Sequence, residues 1–190
     1  MPDRPIFLTY TRYRPIQRLL HWVIALLVLG SLSMGLTIGY LGFEGLEQRF
    51  GLNATNALYL FHKSFGVLIL GLMIVRLLAR LILGKPHYAV PLPVPMRIAS
   101  EIVHGLMYLL LLTMPVLGWL ATASGDFPVQ FFGTNLPGII GVDKALSETL
   151  FEWHERVGWA LLVLIVIHII AALYHALIRR DGVIQRMRPW

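Results

Sequence analysis

The chain has no cysteine among its 190 residues. That excludes disulfides, thiolate-held iron–sulfur clusters and covalent haem attachment through paired thiols. Charge is also scarce: 14% of residues are Asp, Glu, Lys or Arg, against 57% hydrophobic, and the mean hydropathy is +0.70. A soluble domain carries roughly a quarter charged residues, so this composition excludes an ordinary soluble enzyme and points to a membrane protein. Acids are the scarcer sign, which leaves a net charge of +6. The bases gather at the ends of apolar runs, so topology explains them and nucleic acid is not an expected partner. A cleavable signal is not expected at the N-terminus, which is polar and followed by an overlong apolar run without a small-residue cleavage site.

What is present in abundance is long uncharged sequence. Between Arg156 and Arg179 lie 22 residues without Asp, Glu, Lys or Arg. At about 1.5 Å per residue they cover roughly 33 Å, enough for a bilayer core of about 30 Å. From Leu19 to Phe43 there are 25 more. The segment ending at Arg76 and Arg80 has an uncharged centre of only twelve residues, Ser64–Val75. It spans if its flanking cations snorkel or meet an anionic cofactor group. Pro115 interrupts a fourth run, and a proline there is tolerated in a membrane helix and expected to kink it. The expected fold is therefore all-α and integral to the membrane: a single domain over 1–190, a four-transmembrane-helix bundle with helices at about 16–41, 56–83, 97–123 and 151–178. Residues 1–15 form a basic, irregular arm with Arg4, Arg12 and Arg14. The loop 42–54 and the Gly-, Pro- and aromatic-rich loop 124–149 lie at one end, the second of them at the interface or over the bundle.

Four spans place both termini on one side. That side carries twelve of the Lys and Arg residues and the other side four, Arg49, Lys63, Lys144 and Arg156. The positive-inside rule puts both termini in the cytoplasm.

Histidines are the chemistry-bearing residues. His154 and His168 are fourteen residues apart, hence within about 40° on one helix face and about 21 Å apart along it. Topology sorts the others by depth. His62 lies with His154 on the outer side, and His21 with His168 on the inner side. Each pair joins different helices, as two axial ligands of one haem iron must. An intramembrane imidazole is costly unless its lone pair is used, although one alone is as often a hydrogen-bonded packing residue. Zinc and copper also accept imidazole, so a His-based metal transporter is a further reading; the span interiors lack the carboxylates or thiolates that transported zinc would want. Arg76, Arg80, Arg18 and Lys63 read either as membrane anchors or as partners of haem carboxylates. His175, His104 and Glu101, near the cytoplasmic interface, are candidates for a quinone and proton site. His87, in a proline-rich loop, reads as structural.

The segments RLLHW at His21, LFHKSFGVLILGLMIVRLLARL from His62 to Arg80, VHGLMYLLLLTMPVLGW at His104, ASGDFPVQFFG in the outer loop, and WHE with VIH at His154 and His168 together resemble the bacterial cytochrome b561 family over residues 10–188. The resemblance implies a bundle holding two haem b groups, with His21, His62, His154 and His168 as axial ligands. It also implies a membrane cytochrome b oxidoreductase that carries electrons from a periplasmic small-molecule donor to ubiquinone. In similar members the donor is superoxide. A second reading is a haem-bearing anchor subunit that takes electrons from a periplasmic dehydrogenase or hydrogenase. The outer side favours such docking, with seven acids against four bases.

Overall fold

The computed structural model describes residues 12–88 and 90–188. The first eleven residues of the basic arm, Arg4 among them, lie outside the described residues. Among the described residues three helices are long and apolar enough to cross a membrane. They are α1 (Pro15–Leu83), α2 (Val94–Ser124) and α3 (Lys144–Tyr174). A short antiparallel hairpin, β1 (Val129–Phe131) and β2 (Thr134–Leu136), lies between α2 and α3. A π turn, His175–Arg179, and a 3-10 turn, Ile184–Met187, follow α3.

The 69 residues of α1 do not form one rod. Gly42 (φ 65°) and Gly51 (φ 79°) leave helical geometry, and glycine adopts these angles without a Cβ clash. The Gln17 side-chain amide donates to the carbonyls of Ala79 (3.4 Å) and Gly84 (3.2 Å). In a straight helix Gln17 and Ala79 would stand about 90 Å apart. So α1 folds back on itself, with arms 15–41 and 52–83 joined by a helical connector. The expected loop 42–54 is therefore mostly helix.

The core is a stripe on each helix. Leu20, Ile24, Val28 and Leu32 recur every fourth residue on the first arm. They meet Ile69 and Met73 of the second arm, Leu111 of α2, and Leu161 and Ile165 of α3. The outward faces are just as apolar: Leu26 and Leu81 are 71% exposed and Ile82 79%. Such faces suit hydrocarbon rather than water. The protein lies in lipid.

One end, here the terminal end, is tied by polar contacts to the tail. Trp22 donates to the Met187 carbonyl and Arg18 to that of Arg188, each at 2.8 Å. Arg80 donates to the Tyr13 hydroxyl at 2.9 Å. The buried Arg186 donates to the Pro86 carbonyl, and its guanidinium lies 4.1 Å from the Tyr88 ring centroid. Of the arginines expected as membrane anchors or cofactor partners, Arg18 and Arg80 are thus engaged with protein groups.

At the other end, the hairpin end, structure begins earlier than expected. α3 starts at Lys144 rather than 151, because the Asp143 carboxylate accepts the Leu146 N–H at 3.0 Å and caps the helix. α2 starts at Val94 rather than 97, with proline in its first turn where no N–H is needed. It continues through Pro115 to Ser124. The Asp143→Ala variant is expected to lose about 1 kcal/mol, lowering the thermal midpoint in detergent by about 2–4 °C. A thermal melt of the two proteins checks this.

Candidate functional site

The hairpin end holds a cavity of about 1560 Å³ between both arms of α1, α2 and α3, with His62 and His154 in its wall. That exceeds the range of about 300–1,000 Å³ usual for small-ligand sites, and the wall is largely apolar. The two imidazole centroids are 6.1 Å apart with planes at 85°. Metal–imidazole bonds of about 2 Å on each side would put the ring centroids about 6 Å apart, so one iron fits between them.

Ring orientation is set by the same device on each side. His62 Nδ1 lies 3.0 Å from the Ser31 carbonyl, and His154 Nδ1 lies 3.0 Å from the Met114 carbonyl. A carbonyl only accepts, so Nδ1 carries the proton and Nε2 keeps its lone pair. One turn after each carbonyl is a glycine. A Cβ at Gly35 would come 2.9 Å from His62 Cε1, and one at Gly118 would come 3.0 Å from His154 Cε1. The imidazoles reach the helix backbone because those side chains are missing. Ser31, Gly35, Met114 and Gly118 were not singled out from the sequence. Their signal is a glycine in an apolar helix at the depth of a histidine.

The hairpin roofs this cavity. Lys63 donates to the Pro128 carbonyl at 3.0 Å, and Ser64 accepts the Phe132 N–H at 2.7 Å. Phe132 takes a positive φ of 51°, costing a non-glycine residue about 1–2 kcal/mol, and its contact with Phe65 at 6.4 Å helps hold it there. Lys63 thus holds the roof. The expected choice for the loop 124–149, interface or cover, resolves into a cover built as a β-hairpin within an otherwise helical fold.

At the terminal end His21 and His168 stand 6.2 Å apart with planes at 79°. The spacing fits one iron as well, but the surroundings differ. His104 lies 5.1 Å from His168, with its Nδ1 against the Ser100 carbonyl. Arg76 donates to the Gln17 carbonyl at 3.0 Å and points its other nitrogen at His21 Nδ1, 3.4 Å away. A guanidinium can only donate, so in this arrangement Nδ1 is the acceptor and the His21 proton sits on Nε2. The contact is long and weak, and ligation through Nε2 requires the ring to give it up.

The other candidate residues separate. His104 joins the terminal-end imidazoles rather than His175, which hydrogen-bonds Asp181 at 2.7 Å. Glu101 faces Lys85 at 3.6 Å on an exposed surface.

The two imidazole pairs stand at 6.1 and 6.2 Å, one at the hairpin end and one at the terminal end. Residues 12–190 match the family model described as prokaryotic cytochrome b561. The chain belongs to this family. It is 31% identical over 186 residues to cytochrome b561 homolog 2 of Escherichia coli K12, covering 94% of this chain and 92% of that protein. It is 28% identical over 181 residues to the probable superoxide oxidase CybB of Yersinia pestis, covering 95% and 97%. Cytochrome b562 of Cereibacter sphaeroides is also 28% identical, over 178 residues, covering 93% and 96%. The family makes this a membrane electron-transfer protein of the oxidoreductase kind, and it implies b-type haem.

Proposed function

We propose that this family member spans the bacterial inner membrane four times as a single domain, with both termini cytoplasmic. It would hold two haem b groups and move electrons from a periplasmic donor, superoxide in the first instance, to ubiquinone at the cytoplasmic side. The observation that carries this reading is the pairing of His62 with His154 and of His21 with His168 at 6.1 and 6.2 Å, one pair toward each end of α3. The superoxide donor is supported by the name of the Yersinia relative.

Bound haem supplies a one-electron couple. The protein supplies the rest. His62 and His154 present Nε2 lone pairs, held by the Ser31 and Met114 carbonyls. The hairpin covers the cavity beside the hairpin-end pair. Arg76 and Lys63 offer positive charge beside the two sites, suited to haem carboxylates. At the cytoplasmic end His175 is the proposed proton donor to quinone. His104, beside the inner pair, and Glu101, at the exposed rim, are further groups able to move protons there.

A second reading, a haem-bearing anchor for a periplasmic dehydrogenase or hydrogenase, is favoured by one observation, the seven acids against four bases on the hairpin side. Long-range repulsion would slow an anionic donor there and suit a basic protein surface.

The test is a dithionite-reduced minus oxidised spectrum with pyridine haemochrome quantitation. About two b haems per chain are expected from two axial pairs. One haem would overturn the two-site reading, and none would overturn electron transfer. Turnover of superoxide with a short-chain ubiquinone by the isolated chain supports the first reading. A co-purifying redox partner and no activity alone supports the second.

A further inference from the structure

After Tyr174 the α-helix widens into the π turn His175–Arg179, Arg180 takes a left-handed φ of 50°, and the chain doubles back. Single π turns inside or at the ends of helices are frequent at functional sites. Here the reversal brings Asp181 under its own helix. Its side chain is 4% exposed, and three donors converge on it. Oδ2 accepts His175 Nδ1–H at 2.7 Å and Arg179 Nε–H at 2.9 Å, while Oδ1 accepts the Val183 N–H at 3.3 Å. Burial works against the charged carboxylate, but the hydrogen bonds from His175, Arg179 and Val183 outweigh it and hold its pKa below the ordinary value. It is therefore an anion at neutral pH and accepts only. The His175 proton on that side must sit on Nδ1, which leaves Nε2 as the ring nitrogen free to exchange a proton.

We propose that Asp181 is a positioning residue for His175: it fixes the Nδ1–H form and aims Nε2 as the proton-exchanging atom at the quinone. This rests on the proposed quinone reduction at the cytoplasmic end, and it names the residue on which proton delivery there depends. Quinone reduction takes two electrons, supplied singly by the donor at the opposite face, and two protons. In each proton step the Nε2–H bond of the His175 imidazolium breaks and an O–H bond forms on the quinone oxygen. Neutral Nδ1–H imidazole remains, and cytoplasmic water reprotonates it at Nε2. Asp181 stabilises the imidazolium and keeps the ring in one tautomer between steps, the part played by the aspartate in a Ser-His-Asp triad. Arg179 balances the buried charge, so the cluster is not left as an isolated anion. The inferred step needs no residue of the axial pairs, since His175 follows His168 by seven residues, about 10 Å along the helix.

The experiment uses full-length protein with haem bound, a short-chain ubiquinone as acceptor, and the variants Asp181→Asn, His175→Gln, the double variant and Asp181→Glu. D181N is expected to lower kcat on the order of 100-fold, the low end of general acid–base effects, with KM for quinone and the haem spectrum unchanged. H175Q should lose as much, and the double variant no more than H175Q, because the two residues act as one unit. Nitrogen-15 spectra of histidine-labelled protein should show His175 protonated at Nδ1 in the native chain and a tautomer mixture in D181N. D181E, which keeps the charge, should recover part of the rate. Losses that multiply in the double variant would overturn the proposal, as would a D181N effect confined to KM or an unaltered tautomer. If D181N does not hold haem, D181E decides: a native rate with a randomised tautomer overturns it as well. An H175Q protein at full rate would sink the quinone-site reading itself. A slow H175Q beside a full-rate D181N would sink only the role of Asp181.

Discussion

Replacing His154 with leucine is expected to drop haem b from about two to about one per chain, because an iron with a single axial imidazole is poorly held. The rest of the hairpin-end site survives the change. His62 keeps its bond to the Ser31 carbonyl and the hairpin keeps its ties to Lys63 and Ser64, so the loss reports ligation and not collapse. His168→Leu should remove the other haem. His175→Gln should remove neither, since its ring is bound to Asp181. Pyridine haemochrome per chain separates the three outcomes. An unchanged haem content in His154→Leu would assign the hairpin-end iron to other ligands. The double variant His154→Leu/His168→Leu should be free of haem and, with both ends disconnected, without quinone reductase activity.

The second large effect comes from residues that carry no chemistry. Gly35→Ala and Gly118→Ala should each weaken haem retention at the hairpin end by about 10–100-fold, the range for second-shell changes at metal sites. The added methyl acts with opposite signs at two levels. In a helix interior alanine is better than glycine by about 1 kcal/mol, so the variants should fold at least as well as the parent. Yet the new Cβ would lie 2.9 Å from His62 Cε1 or 3.0 Å from His154 Cε1. The ring must then turn, and its bond to Ser31 or Met114 goes with it. Haem dissociation measured by transfer to apomyoglobin, beside a thermal melt, checks both signs. Faster haem loss, with equal or higher stability of the haem-free protein, is the expected result, and an unchanged rate would mean that the helices shift to absorb the methyl.

Much of this site is legible in the sequence because depth in a bilayer is a one-dimensional coordinate. Uncharged runs fix which residues lie between the two surfaces, and the direction of each run sorts His21, His62, His154 and His168 into two depths. Lateral position is not so fixed: a shared depth groups His104 with His175, but it stands against His168. Short-range structure at the hairpin end was also hidden. β1 and β2 have three residues each, too few for an alternating pattern, and their turn runs through Phe132, not the usual Asn or Asp before glycine. The early start of α3 depends on one cap, Asp143, in a stretch whose glycines and prolines read as loop. Asp181 sits in a basic tail, where a lone acid reads as surface. Its burial depends on the reversal at Arg180, which a sequence pattern does not reveal.

Without cysteine, this chain cannot form a disulfide. The paired imidazoles offer another kind of cross-link. His62 and His154 join the second arm of α1 to α3, and His21 and His168 join its first arm to α3, so the two filled sites would clamp both arms to one helix. The enclosed loops are roughly 90 and 150 residues long, and by the estimate used for disulfides, closing such a loop removes unfolded-chain entropy worth about 5 kcal/mol. The second closure adds less, because its loop is already tethered by the first. Haem supply would then govern how long the folded chain survives as well as whether it can conduct. A cell short of haem would lose the protein itself, and the two losses would appear together.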